Sequence, residues 1–165
     1  MRNSILKVTI FAIAFAFVEA AVVVYLRHLL GASQPQFNQS EVLLLLPGIT
    51  FLEPQTAVKI IKNTAILNVE RIREVATLVI LASVAATAGK NLKQKIAYFF
   101  LAFGVWDIFY YVFLKLIINW PNALTDSDTF FLLPVPWVGP VFVPVIISFC
   151  MILLSLFYLT KSKKS

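Results

Sequence analysis

Four long apolar stretches divide the chain, and each is close to the length of a membrane-spanning helix. They lie at about residues 8–26, 72–88, 96–118 and 141–159. Because the hydrocarbon core of a bilayer takes about 20 helical residues, each stretch can form one crossing. The pattern predicts an all-α integral membrane protein, a four-span helical bundle that makes a single transmembrane domain over residues 1–165.

Two further apolar segments are interrupted by residues that break helices. Residues 42–52 contain a Pro-Gly pair, and residues 130–144 contain four prolines. Proline cannot donate a backbone hydrogen bond inside a helix, and irregular backbone at membrane depth has to be buried against protein. Both segments are therefore predicted to be re-entrant or interfacial, within outer segments at about residues 28–70 and 119–140.

Shorter signals give two more local predictions. Residues 54–88 begin with a proline and contain no later proline or glycine, which predicts one long helix whose second half is the span at 72–88. In the loop before the fourth span, Ser127 or Asp128 is suited to cap a short helix.

Basic residues mark one side of the predicted bundle. Arg2 and Lys7 precede the first span, three lysines lie in residues 90–95, three more follow the fourth span, and none of these segments contains an acid. Lys and Arg accumulate on the cytoplasmic side of membrane proteins. We therefore expect a multi-pass protein of the cytoplasmic (inner) membrane with both termini in the cytoplasm.

Composition excludes several classes of protein. The chain has 165 residues, of which 60% are hydrophobic and 13% charged, with a mean hydropathy of +0.88, whereas soluble domains average about 25% charged residues. Water-soluble enzyme folds, disordered tails and disulfide scaffolds are excluded. The net charge of +6 is explained by topology, so the expected partner is the lipid bilayer and no nucleic-acid partner is expected. One cysteine and one histidine leave no internal disulfide and no bis-histidine haem site.

Acidic residues inside the spans are the candidates for function. Counting about 1.5 Å per helical residue, Asp107 lies at the middle of its span, Glu19 about 3 Å outward of the midplane and Glu74 about 9 Å outward. A carboxylate at membrane depth costs about 2.5–3.5 kcal/mol, so each is expected to face the bundle interior and find a partner. The acids of three helices are thus predicted to meet in the outer half of the bilayer.

Neighbouring polar residues complete the candidate site. Glu70–Arg73 and Arg71–Glu74 are each three residues apart and can form ion pairs along one helix. Tyr111 follows the deep aspartate by one helical turn. A simpler interpretation of residues 70–74 is a salt-bridged helix start at the headgroup level without function. The predicted ligand-binding residues are Glu19, Glu70, Arg71, Arg73, Glu74, Asp107 and Tyr111.

Motifs of established catalytic chemistry are absent from the sequence. It contains no Glu-x-x-His pair, no His-Glu-x-x-His, no Gly-x-Ser-x-Gly and no P-loop. The sequence therefore identifies no catalytic residue, no metal site and no cofactor.

Three functions stay open at this point. The first is a protein that binds or translocates a proton, a cation or a polar headgroup, as a homodimer because four spans are few for a pathway. The second is a membrane-embedded enzyme that acts on a lipid or quinone-like substrate by carboxylate acid–base or hard-metal chemistry. The third is a non-catalytic accessory subunit of a membrane complex, with its ion pairs against a partner subunit. The depth of Glu19 and Asp107 favours the first function.

Overall fold

Four long helices form most of the fold. The computed structural model describes residues 2–30 and 37–161, with side chains described in 3–28 and 37–161. Three helices are long and apolar enough to cross a membrane, at Asn3–His28, Leu92–Ile118 and Phe142–Lys161, so the chain has the composition of a multi-pass membrane protein. The helices are α1 (Arg2–Leu30), the short α2 (Ala57–Ile60), α3 (Thr64–Ala88), α4 (Leu92–Ile118) and α5 (Phe142–Lys161).

Helix α4 lies at the centre of the bundle and packs against α1, α3 and α5. On α1 the contact is made by small side chains at a spacing of four residues, where Ala12, Ala16 and Ala20 have no exposed surface. Small residues let helix backbones approach closely in membrane proteins. The same principle operates between α4 and α5, where a Cβ added to Gly104 would lie 2.6 Å from the carbonyl oxygen of Ser148.

A four-stranded antiparallel sheet accompanies the helices, so the expectation of an all-α fold is wrong. Its spatial order is β1-β2-β4-β3. The two proline-containing segments pair with each other, since Thr50 faces Val138 and Phe51 faces Trp137. The strands are β1 (Val42–Leu46), β2 (Ile49–Leu52), β3 (Ser127–Phe131) and β4 (Trp137–Pro140).

The positions of proline and glycine explain how these segments form strands. Pro47 and Gly48 make the two-residue turn between β1 and β2, and Gly48 has a φ of +79°, which glycine adopts without steric cost. Pro134 and Pro136 lie in the β3–β4 connection and Pro140 at the end of β4, where a missing N–H disrupts little of the ladder.

Two local helix predictions are also wrong. The predicted helix over residues 54–88 is interrupted, because Ile61 adopts an extended conformation and Asn63 starts a new helix by accepting a hydrogen bond from the Ile66 N–H at 3.2 Å. The predicted short helix after Ser127 is strand β3 instead, which pairs with β4 along its length.

The sheet covers one end of the bundle, called the sheet end below. It meets the C-terminal part of α1, where Arg27 contacts Asp128, and the N-terminal half of α3, where Glu74 contacts Leu132. Because β4 leads directly into α5, α3 and α5 run away from the sheet end, whereas α1 and α4 run toward it. Five of the eight described lysines lie toward the opposite end, at Lys7, Lys90, Lys93, Lys95 and Lys161, and the other three, Lys59, Lys62 and Lys115, lie toward the sheet end. The predicted markers Lys163 and Lys164 and the side chain of Arg2 lie outside the described part.

Candidate functional site

A cavity of about 360 Å³ lies between the helices and the sheet. Its walls come from α1, α3, α4 and α5, and from strands β2, β3 and β4. Five carboxylates and two arginines are among the lining residues, and the five acids are only 4–8% exposed. These charged lining residues are Glu19, Arg27, Glu70, Arg73, Glu74, Asp107 and Asp128.

Arg73 joins two of these carboxylates. Its guanidinium forms an ion pair with Glu19 of α1 and donates from Nε to Oε2 of Glu70 at 2.8 Å. The other oxygen of the Glu19 carboxylate accepts a hydrogen bond from Thr77 Oγ1 at 2.6 Å. Arg73 therefore ties α3 to α1 and supplies the positive charge for two buried acids.

Arg27 serves a third carboxylate, at the sheet. It donates to Oδ1 of Asp128 at 3.1 Å, and its guanidinium carbon lies 3.9 Å from the centre of the Trp120 ring. Tyr111 donates to the second oxygen of Asp128 at 3.2 Å. Burial raises the pKa of Asp128 to about 6, and the Arg27 charge opposes that rise. These contacts link α1, α4 and β3 at the side of the cavity that faces the sheet.

Glu74 and Asp107 differ from the other three acids, and we call them the unpaired carboxylates. Glu74 accepts the backbone N–H of Leu132 at 2.9 and 3.0 Å, and Asp107 accepts a hydrogen bond from Ser148 Oγ at 2.8 Å. Within residues 3–28 and 37–161, neither of them forms an ion pair with a basic side chain.

Aromatic side chains cover much of the wall beside the unpaired carboxylates. The Phe103 ring lies 5.5 Å from that of Trp106 and 6.4 Å from that of Phe131, and Phe131 lies 6.3 Å from Trp137. Trp106 also stacks with Tyr110 at 6.2 Å. All five of these residues line the cavity.

The tryptophan side chains of the cavity wall carry N–H groups that donate no hydrogen bond within the described part of the chain. The chain has three tryptophans, and Trp106, Trp120 and Trp137 all line the cavity. In the described structure the buried Nε1 atom of each has no hydrogen-bond partner. A buried donor without a partner costs about 1–3 kcal/mol, so a bound molecule with an acceptor atom would lower the free energy of the site.

The cavity brings together six of the seven residues that the sequence nominates. Glu19, Glu70, Arg73, Glu74, Asp107 and Tyr111 all line it. The predicted Glu70–Arg73 ion pair is present. Arg71 is not among the lining residues. The expected Arg71–Glu74 pair is missing from the ion pairs of the described residues, and the Glu74 carboxylate instead accepts the backbone N–H of Leu132, the residue after β3.

Several lining residues were missed by the sequence. Thr77 lies one turn beyond Glu74 on the same helix face, so the spacing of residues 70, 74 and 77 could have identified it. The sequence suits Asp128 to a helix cap, and only the pairing of β3 with β4 places it in the cavity. Arg27 and Ser148 carry no local signal, since their roles depend on partners at Asp128 and Asp107.

The acids are spread around the cavity rather than gathered at a point. Among the residues that the structure describes, no three His, Cys, Asp or Glu side chains are grouped closely enough to hold a metal ion. No protein-family model, no curated protein and no solved structure matches the chain. The function of the site is therefore inferred from its geometry and chemistry.

Proposed function

We propose that the protein is a four-span protein of the cytoplasmic membrane, with both termini in the cytoplasm, that binds or translocates a proton, a cation or a polar headgroup in this cavity. The helix α3 serves as the fourth span, since it packs along α4 and carries no charge from Val75 to Ala88. The lysines of the end opposite the sheet support the cytoplasmic assignment, and the cavity then opens in the outer half of the bilayer.

The excess of buried acid over base carries this proposal. Five carboxylates line the cavity against two arginines. Buried like charges are stabilised by taking up protons or by binding a cation, and Arg27 and Arg73 are already engaged by Asp128, Glu19 and Glu70. The site therefore has capacity for further positive charge.

The buried ion pairs join elements of this chain to one another, which supports a site formed within this chain and not at an interface with a partner subunit. An accessory subunit would be expected to direct its buried charges toward a partner subunit. Here Arg73 pairs with Glu19 across α3 and α1, and Arg27 pairs with Asp128 across α1 and β3. Translocation through only four spans would need a second copy, so a translocating form is proposed to be a homodimer.

A pH and salt titration tests the proposal. All three tryptophans line the cavity, so the intrinsic fluorescence of the full chain in lipid nanodiscs reports on it. We expect a pH-dependent change in emission that shifts by at least one pH unit, or disappears, in Glu19→Gln and Asp107→Asn. Sodium, potassium and ammonium chlorides are then added as candidate cations.

The matched control is Glu41→Gln. Glu41 pairs with Lys59 on the surface, and neither residue lines the cavity, so this change should leave the titration as it is in the unaltered protein. Identical titrations in the unaltered protein and in both cavity variants would contradict the proposal.

A further inference from the structure

Charge within the cavity is divided unevenly. Arg27 and Arg73 form ion pairs with Asp128, Glu19 and Glu70, and neither Glu74 nor Asp107 forms one in the described structure. Their hydrogen bonds come from neutral donors, a backbone N–H and a serine hydroxyl. The capacity for positive charge is therefore located at these two residues.

The surroundings of the unpaired carboxylates are aromatic. Asp107 lies one turn after Phe103 and directly after Trp106, and Glu74 is bonded to the residue that follows Phe131. Phe103 connects the two sides, because its ring lies within 6.4 Å of Phe131 and 5.5 Å of Trp106. A cation that binds in the cavity near either acid is thus placed beside aromatic rings.

From these observations we infer that the ligand is an organic cation, an ammonium group with alkyl substituents, held in the cavity by the charges of Glu74 and Asp107 and by the Phe103, Trp106 and Phe131 rings. The inference rests on the proposed function and narrows its ligand class. Aromatic faces attract ammonium groups, at about 2 kcal/mol or more in desolvated sites, and apolar walls accommodate the alkyl groups.

The other members of the proposed ligand class fit less well. A bare proton needs no space, whereas the cavity of about 360 Å³ falls within the roughly 300–1,000 Å³ of small-molecule sites. A hard metal cation prefers a shell of six or more oxygen ligands, and the described acids are not grouped for one. An anionic headgroup would meet an excess of carboxylates.

One further observation points to a ligand at this position. Trp106 is only 7% exposed, and its indole N–H has no partner in the described structure. That donor is adjacent in sequence to Asp107. An amino alcohol, whose oxygen lies two carbons from its nitrogen, can offer a cation to the carboxylates and an acceptor to the indole.

The test compares choline with its uncharged isostere 3,3-dimethylbutan-1-ol on the unaltered full chain in nanodiscs of digalactosyldiacylglycerol, an uncharged lipid whose surface does not concentrate cations. The two molecules have the same shape and hydroxyl group and differ in the charge at one atom. Tryptophan emission and calorimetry measure the affinity, and empty nanodiscs give the background. We expect choline to bind at least tenfold more tightly than the isostere.

Variants then locate the binding. Glu74→Gln and Asp107→Asn should each weaken choline binding at least tenfold, and Phe103→Leu severalfold, whereas Glu41→Gln should leave it unchanged. Ser148→Ala removes the hydrogen bond to Asp107 but keeps its charge, so choline should still be preferred over the isostere. Circular dichroism confirms that each variant is folded, and the comparison on the unaltered protein needs no variant.

The lipid arm distinguishes a free amine from a lipid headgroup. If the natural source is an amine headgroup, nanodiscs of phosphatidylethanolamine will compete, and the apparent affinity for choline will fall relative to the uncharged glycolipid. Unchanged affinity assigns the site to a soluble amine. Either result is consistent with an organic cation as the ligand, and the comparison shows only whether that cation is soluble or part of a lipid.

The outcomes separate this inference from the proposed function. Equal binding of choline and the isostere, or no binding of either, overturns the organic cation. If the pH step that depends on Glu19 and Asp107 nevertheless persists, the proposed function stands with a proton or an inorganic cation. If that step is also absent, both proposals fail.

Discussion

Arg73 shows how a single side chain stabilises buried carboxylates inside a helix bundle. It is the shared partner of Glu19 and Glu70, both of which are buried. The attraction between buried charges only offsets the cost of removing them from water when every group is satisfied. The main contribution of Arg73 to stability is therefore its positive charge, which neutralises two buried carboxylates.

Loss of Arg73 is expected to be strongly destabilising. Arg73→Met leaves two buried carboxylates without a counter-charge, and breaking a buried pair in this way costs about 3–5 kcal/mol. Thermal unfolding in nanodiscs measures the loss. The neighbouring change Arg71→Met is the matched control, because Arg71 forms no ion pair among the described residues and does not line the cavity.

The double variant Arg73→Met with Glu19→Gln tests the reason given for this loss. Removing one stranded carboxylate should recover part of the stability. If the Arg71 and Arg73 changes cost the same, the ion pairs do not stabilise the fold.

At the scale of the element, helices were predictable and strands were not. The long apolar runs are local signals, and α1, α4 and α5 follow them closely, whereas the sequence prediction lacks the Asn63 cap that begins α3. Strands β2 and β4 are four residues each, and their partners are more than 80 residues apart in sequence. A short apolar run does not distinguish a strand from an irregular buried segment, and the prolines favoured the second interpretation.

The same division applies to the candidate site. Depth along a helix identified Glu19, Glu74 and Asp107 because a carboxylate at that depth is costly wherever it points. Asp128 lies in β3 and Leu132 directly follows it, so no spacing rule along a helix could have found them.

Close packing of α4 and α5 gives a prediction at this scale. A side chain at Gly104 would collide with the backbone of Ser148, the residue that hydrogen-bonds to Asp107. Gly104→Ala should therefore separate the helices, lower the stability by about 1–3 kcal/mol and alter the Trp106 emission. Val112→Ala, at a position of α4 that is 40% exposed, is the control and should leave the emission unchanged. Unchanged stability and emission in Gly104→Ala would show that α5 can move away at no cost.

At the scale of the whole molecule, the sheet forms the part of the cavity wall that the helices do not provide. The helices supply four of the five carboxylates, β3 supplies Asp128, and Leu132, the residue after β3, supplies the backbone N–H that holds Glu74. The end of the molecule at the sheet thus contains the buried acids, and the opposite end contains lysines and no acid among the described residues. This asymmetry is what the proposed orientation depends on.

Cysteine labelling from the two sides of the membrane tests that orientation. In a Cys150→Ser background, Leu45→Cys places a thiol on β1 at a side chain that is 71% exposed, and Lys93→Cys places one at an exposed position in the first turn of α4. We expect an impermeant maleimide to label position 45 in intact spheroplasts and position 93 only after permeabilisation. Helix α3 connects the sheet end to the start of α4. Labelling of both positions from the same side would therefore show that α3 does not cross the membrane, and the four-span topology would be wrong.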